Sequence, residues 1–298
     1  MSNQSTYTVE NLIYLMQLLR DPETGCPWDV KQTPETIVRY TLEEVHEVVD
    51  AIEKGDWSAI QEELGDLLFQ VAFYCQMADE QDRFNFNDVV HQIVKKMIRR
   101  HPHVFPSGQL EQHRSKPVIS EHAVRQQWEQ IKATEHAEKY HDTSPYPLAE
   151  RFAQIPKGLG ALAYAQKVQK GAALHGLDWP DVGGALARLR EEMAEFESEI
   201  NVEWSHKEDG APEDGSVYDE ARSAIAAELG DVLFTCVNVA RHLQIDAEHC
   251  LRQSTRTFCR RAESVEKQWQ AASPGVPMGQ ADGEALNDFW QVAKVEIE

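Results

Sequence analysis

The feature that most restricts this chain is an acidic pattern that occurs twice. Residues 42–52 read LEEVHEVVDAI and residues 190–200 read REEMAEFESEI. Each is followed by a second acidic segment, EELGDLLF at 62–69 and AELGDVLF at 227–234. Self-similarity of this kind marks a chain built from repeated supersecondary units. Each copy supplies E-x-x-E and then E-x-x-D. These acids are Glu44, Glu47, Glu63 and Asp66 in the first copy, and Glu192, Glu195, Glu228 and Asp231 in the second. Weaker echoes widen the match: Arg99-Arg100 parallels Arg260-Arg261, and Trp128 parallels Trp290.

Helical periodicity dominates between these landmarks, and β-branched alternation is almost absent. The spacing predicts helices near 8–20, 34–54, 57–80, 86–100, 120–140, 157–173, 181–200, 218–242, 246–271 and 284–296. Gly and Pro clusters punctuate them, TSPYP at 143–147 among them. The expected organisation is all-α: a first domain over 1–140, a linker over 141–156 and a second domain over 157–298. The second copy is longer between its acidic motifs. The extra residues fall in EWSHKEDGAPEDGSVYDE (203–220), which is expected to be a solvated, flexible loop.

Composition excludes several partners. The 298 residues carry a net charge of −21, a field that repels nucleic acid and anionic membrane. No uninterrupted apolar run approaches the roughly 18 residues needed to span a bilayer. The N-terminus MSNQSTYTVE has neither the basic flank nor the apolar stretch of a signal peptide. The expected location is therefore the cytoplasm. The five cysteines are odd in number and form no C-x-x-C pair, which argues against a disulfide framework or a structural zinc site.

Residues three apart share a helix face, so Glu44 and Glu47 lie about 60° apart around their axis, beside Tyr40, Val48 and Ala51. Glu63 and Asp66 share a face with Leu67, Gln70 and Phe73. The short Lys54-Gly55-Asp56 connection makes the two helices antiparallel neighbours, so the acids are expected to converge inward. Left alone, such acids resist ionisation through burial and mutual repulsion. A hard divalent cation removes that conflict, and oxygen-only ligands select Mg²⁺, with Mn²⁺ as the other candidate. An i,i+3 acidic pair is most often solvated decoration. Two inward-facing pairs, occurring twice, are not explained that way. No Glu-x-x-His pair lies on these faces, which favours a redox-inert metal over a di-iron site.

An acidic metal site with an anionic substrate needs cations for the phosphates. Arg188 lies one helical turn before Glu192. Lys95, Lys96, Arg99 and Arg100 follow the acids of copy one, and Arg256, Arg260 and Arg261 those of copy two. Trp128 and Trp290 can stack on a base or simply pack. There is no Walker loop and no G-x-G-x-x-G.

The motifs CPWD (26–29), YTLEEVHEVVDAI (40–52), EELGDLLFQVAFY (62–74), RRHPHVF (99–105), WEQIK (128–132), QKVQK (166–170) and ELGDVLF (228–234) resemble the MazG family of nucleoside triphosphate pyrophosphohydrolases, in its long tandem-domain form. The resemblance implies two MazG-like helical domains whose four-helix bundles are completed by subunit pairing, hence a homodimer or higher homo-oligomer. It implies Mg²⁺ held by the four acids of a repeat, and hydrolysis of NTP or dNTP to monophosphate and pyrophosphate in nucleotide-pool housecleaning. By position, Arg188, Arg260, Arg261 and Trp290 are its substrate contacts in copy two, and Lys96, Arg100 and Trp128 those of copy one. The sequence departs from the family at Thr257, where a basic residue is usual, and at Gly171. The adjacent glutamates Glu43 and Glu191 are the candidates to orient or deprotonate the attacking water. Two alternatives stand: a hydrolase restricted to non-standard or pyrimidine dNTPs, and a nucleotide-sensing regulatory protein.

Overall fold

A computed structural model describes residues 6–112, 120–140, 146–208 and 215–297. Among these residues it contains eleven α-helices, two short 3-10 turns and no strand. The helices are α1 (Val9–Leu19), α2 (Pro34–Lys54), α3 (Trp57–Asp79), α4 (Phe86–Arg100), α5 (Glu121–Tyr140), α6 (Pro147–Ala153), α7 (Ala161–Ala173), α8 (Val182–Glu208), α9 (Gly215–His242), α10 (Ala247–Ala272) and α11 (Gly283–Glu296). The chain divides into two compact units, Met1–His141 and Asp142–Glu298.

Local chemistry fixes the hairpin that carries the first set of acids. Pro34 opens α2 at a position where its missing N–H costs nothing. Thr36 accepts a hydrogen bond from the Thr33 N–H at 2.9 Å. Gly55 ends α2 in the left-handed region at φ 72°, which glycine adopts without penalty. Asp56 then caps α3 by accepting from the N–H groups of Ser58 and Ala59. A stop and a start one residue apart leave α2 and α3 no option but to fold back on each other.

In the first unit, α3 is the central element, packed against α1, α2 and α4. Met16, Ile37, Ala72, Phe73 and Met77 form the core, edged by Leu12, Leu19, Tyr40, Phe69, Tyr74 and Phe86. Burying a side chain such as Phe73 contributes on the order of 1.5–3 kcal/mol. Arg20 ties the periphery down. It pairs with Glu80 at 2.6 Å and donates to the Asp29 carbonyl at 2.6 Å, fixing the 3-10 turn Asp29–Lys31 of the CPWD motif.

The second unit repeats the scheme. The antiparallel pair α8–α9 carries the acids, α7 and α10 pack on α9, and α11 lies along α10. Gln169 on α7 donates to the Phe234 carbonyl at 2.8 Å. Arg241 and His242 both meet Asp178, which holds the end of α9 to the loop before α8.

Three expectations change. The interval 141–156 contains α6, which packs on α7. Pro147, read as a breaker, sits in the first turn of this helix, and Leu148 and Phe152 give it an i,i+4 apolar edge. Within the 203–220 insert, α8 runs to Glu208 and α9 starts at Gly215. Its flanks are therefore helical rather than loop, because charged residues with good helix propensity extend an existing helix cheaply. Residues 209–214 lie outside the described residues. Finally, Arg222–His242 is long and apolar enough, by length and composition, to cross a membrane. Glu228 and Asp231 interrupt its apolar run, so counting uninterrupted residues passes over it. Here it serves as the central helix of the second unit.

Candidate functional site

The antiparallel hairpins bring acids together in both units. In the first, carboxylate oxygens of Glu44, Glu63 and Asp66 lie within 4.8 Å of one another; in the second, those of Glu192, Glu228 and Asp231 do. Three of the four expected acids of each copy are within this mutual distance. Glu47 and Glu195 are exposed and stand at the rim, one turn further along their helices. Glu47 still belongs to the first cluster electrostatically. Burial, then the charges of Asp66, Glu47 and Glu63, push the Glu44 carboxyl above its ordinary value, and burial with Glu47 and Asp66 does the same to Glu63.

The second cluster is more enclosed. Glu192 is 5% exposed. One oxygen each of Glu192 and Glu228 is buried with no hydrogen-bond partner. Buried carboxylate oxygens without donors are costly, and a cation is the partner that suits them. All donors are hard oxygens, so the set fits a divalent ion such as Mg²⁺ and offers a soft metal nothing.

Arg188 reaches into this cluster. Its Nε lies 2.7 Å from Glu192, and a terminal nitrogen lies 3.1 Å from Glu191 and 3.7 Å from Glu195. Burial raises the Glu192 carboxyl, and Arg188 opposes that rise without cancelling it. In the register of the repeat, Tyr40 occupies the place of Arg188. Arg39 lies over the Tyr40 ring at 4.5 Å.

A cleft of about 430 Å³ opens on α10 and α11, lined by Cys250, Gln253, Ser254, Thr257, Phe258, Arg261 and Trp290. The Phe258 and Trp290 rings lie 5.3 Å apart. Arg261 donates from Nε and a terminal nitrogen to the Ile297 carbonyl, at 3.1 and 2.9 Å, a neutral partner. Arg260, by contrast, is exposed and does not line this cleft.

The corresponding groups of the first unit are engaged differently. Glu135 on α5 accepts from Arg99 Nε at 2.8 Å and from Arg100 Nε and terminal nitrogen at 3.1 and 2.6 Å. The Trp128 ring lies under Arg100 and Lys132 and beside His101. Lys96 is exposed one turn before Arg100. Glu43 and Glu191 are both exposed and lie next to, rather than within, the trios.

Glu135 was not singled out in the sequence. Its partners are 35 and 36 positions away, and no local pattern marks it. Phe258 and Ser254 carried a usable signal: with Thr257 and Arg261 they occupy one face of α10 at i,i+3 and i,i+4 spacing.

Among the described residues the fold is all-helical, with two acidic helix hairpins whose carboxylates could hold a divalent ion. The model of the MazG nucleotide pyrophosphohydrolase domain matches residues 32–105 and 184–266, which contain both trios. The nucleoside triphosphate pyrophosphohydrolase of Escherichia coli K12 is 41% identical over 96% of this chain and 97% of its own length. A nucleoside triphosphate pyrophosphohydrolase/pyrophosphatase of Thermotoga maritima is 34% identical over 96% of this chain and 95% of its own. The YabN protein of Bacillus subtilis is 36% identical over 94% of this chain but only 50% of its own length. The chain belongs to the MazG family.

Proposed function

We propose that this protein hydrolyses nucleoside triphosphates, ribo or deoxy, to the monophosphate and pyrophosphate, with Mg²⁺ or Mn²⁺ as the metal. The observation that carries this reading is the enclosed trio Glu192, Glu228 and Asp231 with two unsatisfied buried oxygens. Family membership and near full-length relatives with that activity in their names support it.

The second repeat carries the turnover. Glu192, Glu228 and Asp231, with Glu195 at the rim, hold the cation. When bound, such an ion supplies positive charge to the phosphate oxygens and acidity to a water. Arg188 and Arg261 supply guanidinium charge for phosphate oxygens, to which arginine is better matched than lysine. Trp290 and Phe258 offer the base an aromatic face. The water attacks the α-phosphorus, its proton passes to Glu191, and the bond to the bridging oxygen breaks, releasing pyrophosphate. Thr257 lines the cleft without adding charge, so the grip on phosphate rests on the arginines.

The chain is proposed to work as a homodimer or higher homo-oligomer. Leu64, Leu68 and Val71 stand exposed at i, i+4 and i+7 on α3, and Leu229 and Leu233 repeat the stripe on α9. Such a stripe is what a second copy would cover. Nucleotide-pool housecleaning in the cytoplasm is the role that fits this chemistry.

The test is a panel of NTPs and dNTPs, with products identified, in Mg²⁺, Mn²⁺ and excess chelator. Pyrophosphate and monophosphate in equal amounts are expected, only with metal. Binding without pyrophosphate release would favour a nucleotide sensor, and undiminished turnover in chelator would end the metal reading.

A further inference from the structure

We propose that Arg99, Arg100 and Trp128 of the first repeat form a second binding site for a nucleotide phosphate, and that Glu135 of the same repeat fills it. This rests on the reading of Arg261 and Trp290 as nucleotide contacts, and it assigns the matching groups of the other repeat a distinct state.

The correspondence is close. Arg100 matches Arg261, Trp128 matches Trp290, and Glu135 follows its tryptophan by the same spacing as Ile297 follows Trp290. In both repeats the arginine bonds to this last residue, but to different chemistry. Arg261 meets a neutral main-chain carbonyl and lines the cleft. Arg100 meets a carboxylate, and Arg99 meets the same one, with a terminal nitrogen at 2.6 Å. Glu135 and Arg100 are each only 16% exposed at the side chain, so solvent screens this pair little.

Two guanidinium groups converging on one carboxylate leave a surplus positive charge. A phosphate group carries nearly two negative charges and three acceptor oxygens, and so matches two arginine forks better than a carboxylate does. The tryptophan places an aromatic ring beside these cations, with the Arg100 guanidinium 5.4 Å and the Lys132 ammonium 5.7 Å from its centre. His101 packs edge-on to the same ring at 4.9 Å, and His103 beside it keeps a buried Nδ1 with no partner. Paired guanidinium groups beside an aromatic ring suit a base bearing phosphate better than a bare anion.

The experiment uses the full-length chain and α,β-methylene-ATP, which resists cleavage at the bond in question. Calorimetry gives stoichiometry and affinity. Wild type is expected to bind one equivalent per chain tightly and a second at least about tenfold more weakly. Glu135→Gln, which keeps the shape and removes the charge, is expected to raise the affinity of the second equivalent to near that of the first. Adding Arg100→Ala is expected to abolish that gain.

One equivalent in both wild type and Glu135→Gln overturns the proposal while leaving the second-repeat site standing. Two equal equivalents in wild type also overturn it, since nothing would then be masked. No binding in any variant sinks the underlying reading instead. If Glu135→Gln does not fold, the wild-type titration carried to millimolar analogue decides alone: lack of a weaker second event overturns the proposal.

Discussion

The two repeats share a scaffold and differ in what their charges face. Both build an antiparallel acidic hairpin, and both bring three carboxylates within 4.8 Å. In the second, an arginine reaches into the acids while another, bonded to a main-chain carbonyl, lines an open cleft. In the first, the place of the inner arginine is taken by Tyr40, and the outer arginines are bound by Glu135. The duplicated acids therefore preserve metal-binding potential in both copies. On the proposed reading, competence toward a triphosphate depends on a few substitutions around them, namely which residue sits one turn before the E-x-x-E motif and which follows the tryptophan by two turns.

The largest contrast is expected at the acids themselves. Glu228→Gln removes a ligand from the enclosed trio and is expected to reduce pyrophosphate release on the order of 100-fold or more, as for loss of one preorganised charge-stabilising group. Glu63→Gln, its counterpart, is expected to leave most turnover in place. Steady-state assay of both variants checks this. Equal losses in both would show that the repeats act as one catalytic unit.

A smaller contrast separates the arginines. Arg261→Ala is expected to lower kcat/KM on the order of 10–100-fold, the worth of a charged hydrogen-bonded contact. Arg100→Ala is expected to leave kcat/KM nearly unchanged and to reduce folding stability by about 1–3 kcal/mol, because its fork holds α5 to α4. Kinetics and urea unfolding on the same two proteins separate the roles. A kinetic loss in Arg100→Ala matching that of Arg261→Ala would remove the distinction drawn between the repeats.

Much of this was legible in the sequence, for physical reasons. The acids announce themselves because i,i+3 spacing and the Gly55-Asp56 stop–start signal are local. Arg188 was legible too, since one helical turn separates it from Glu192. What escaped was long-range or depended on the exact path of the chain. Glu135 reaches arginines on another helix. The α6 helix was hidden by Pro147, whose meaning reverses between a helix interior and a first turn.

The smallest expected effect, and the one that most sharpens the contrast, is in pH dependence without metal. The Arg100 hydrogen bond, joined by Arg99, holds the Glu135 carboxyl down at about 2, against an ordinary value of 4.5. A depressed carboxylate contributes stability that is fully present above the unfolded value and is lost as pH falls through the folded one. The Glu135 clasp should therefore hold from neutrality to about pH 4.5 and weaken between there and pH 2. Glu44 and Glu63 behave in the opposite sense: burial and mutual repulsion raise them, so their ionisation strains the metal-free hairpin and protonation relieves it as pH falls from neutrality toward 4.5. In excess chelator, the unfolding midpoint of wild type minus that of Glu135→Gln is expected to stay flat down to about pH 4.5 and then shrink. Wild type minus Glu63→Gln is expected to change above pH 4.5 instead. If both differences moved in the same window, the clasp and the acid cluster would be one coupled network, and the first repeat could not be described as a metal hairpin with its anion contacts separately occupied.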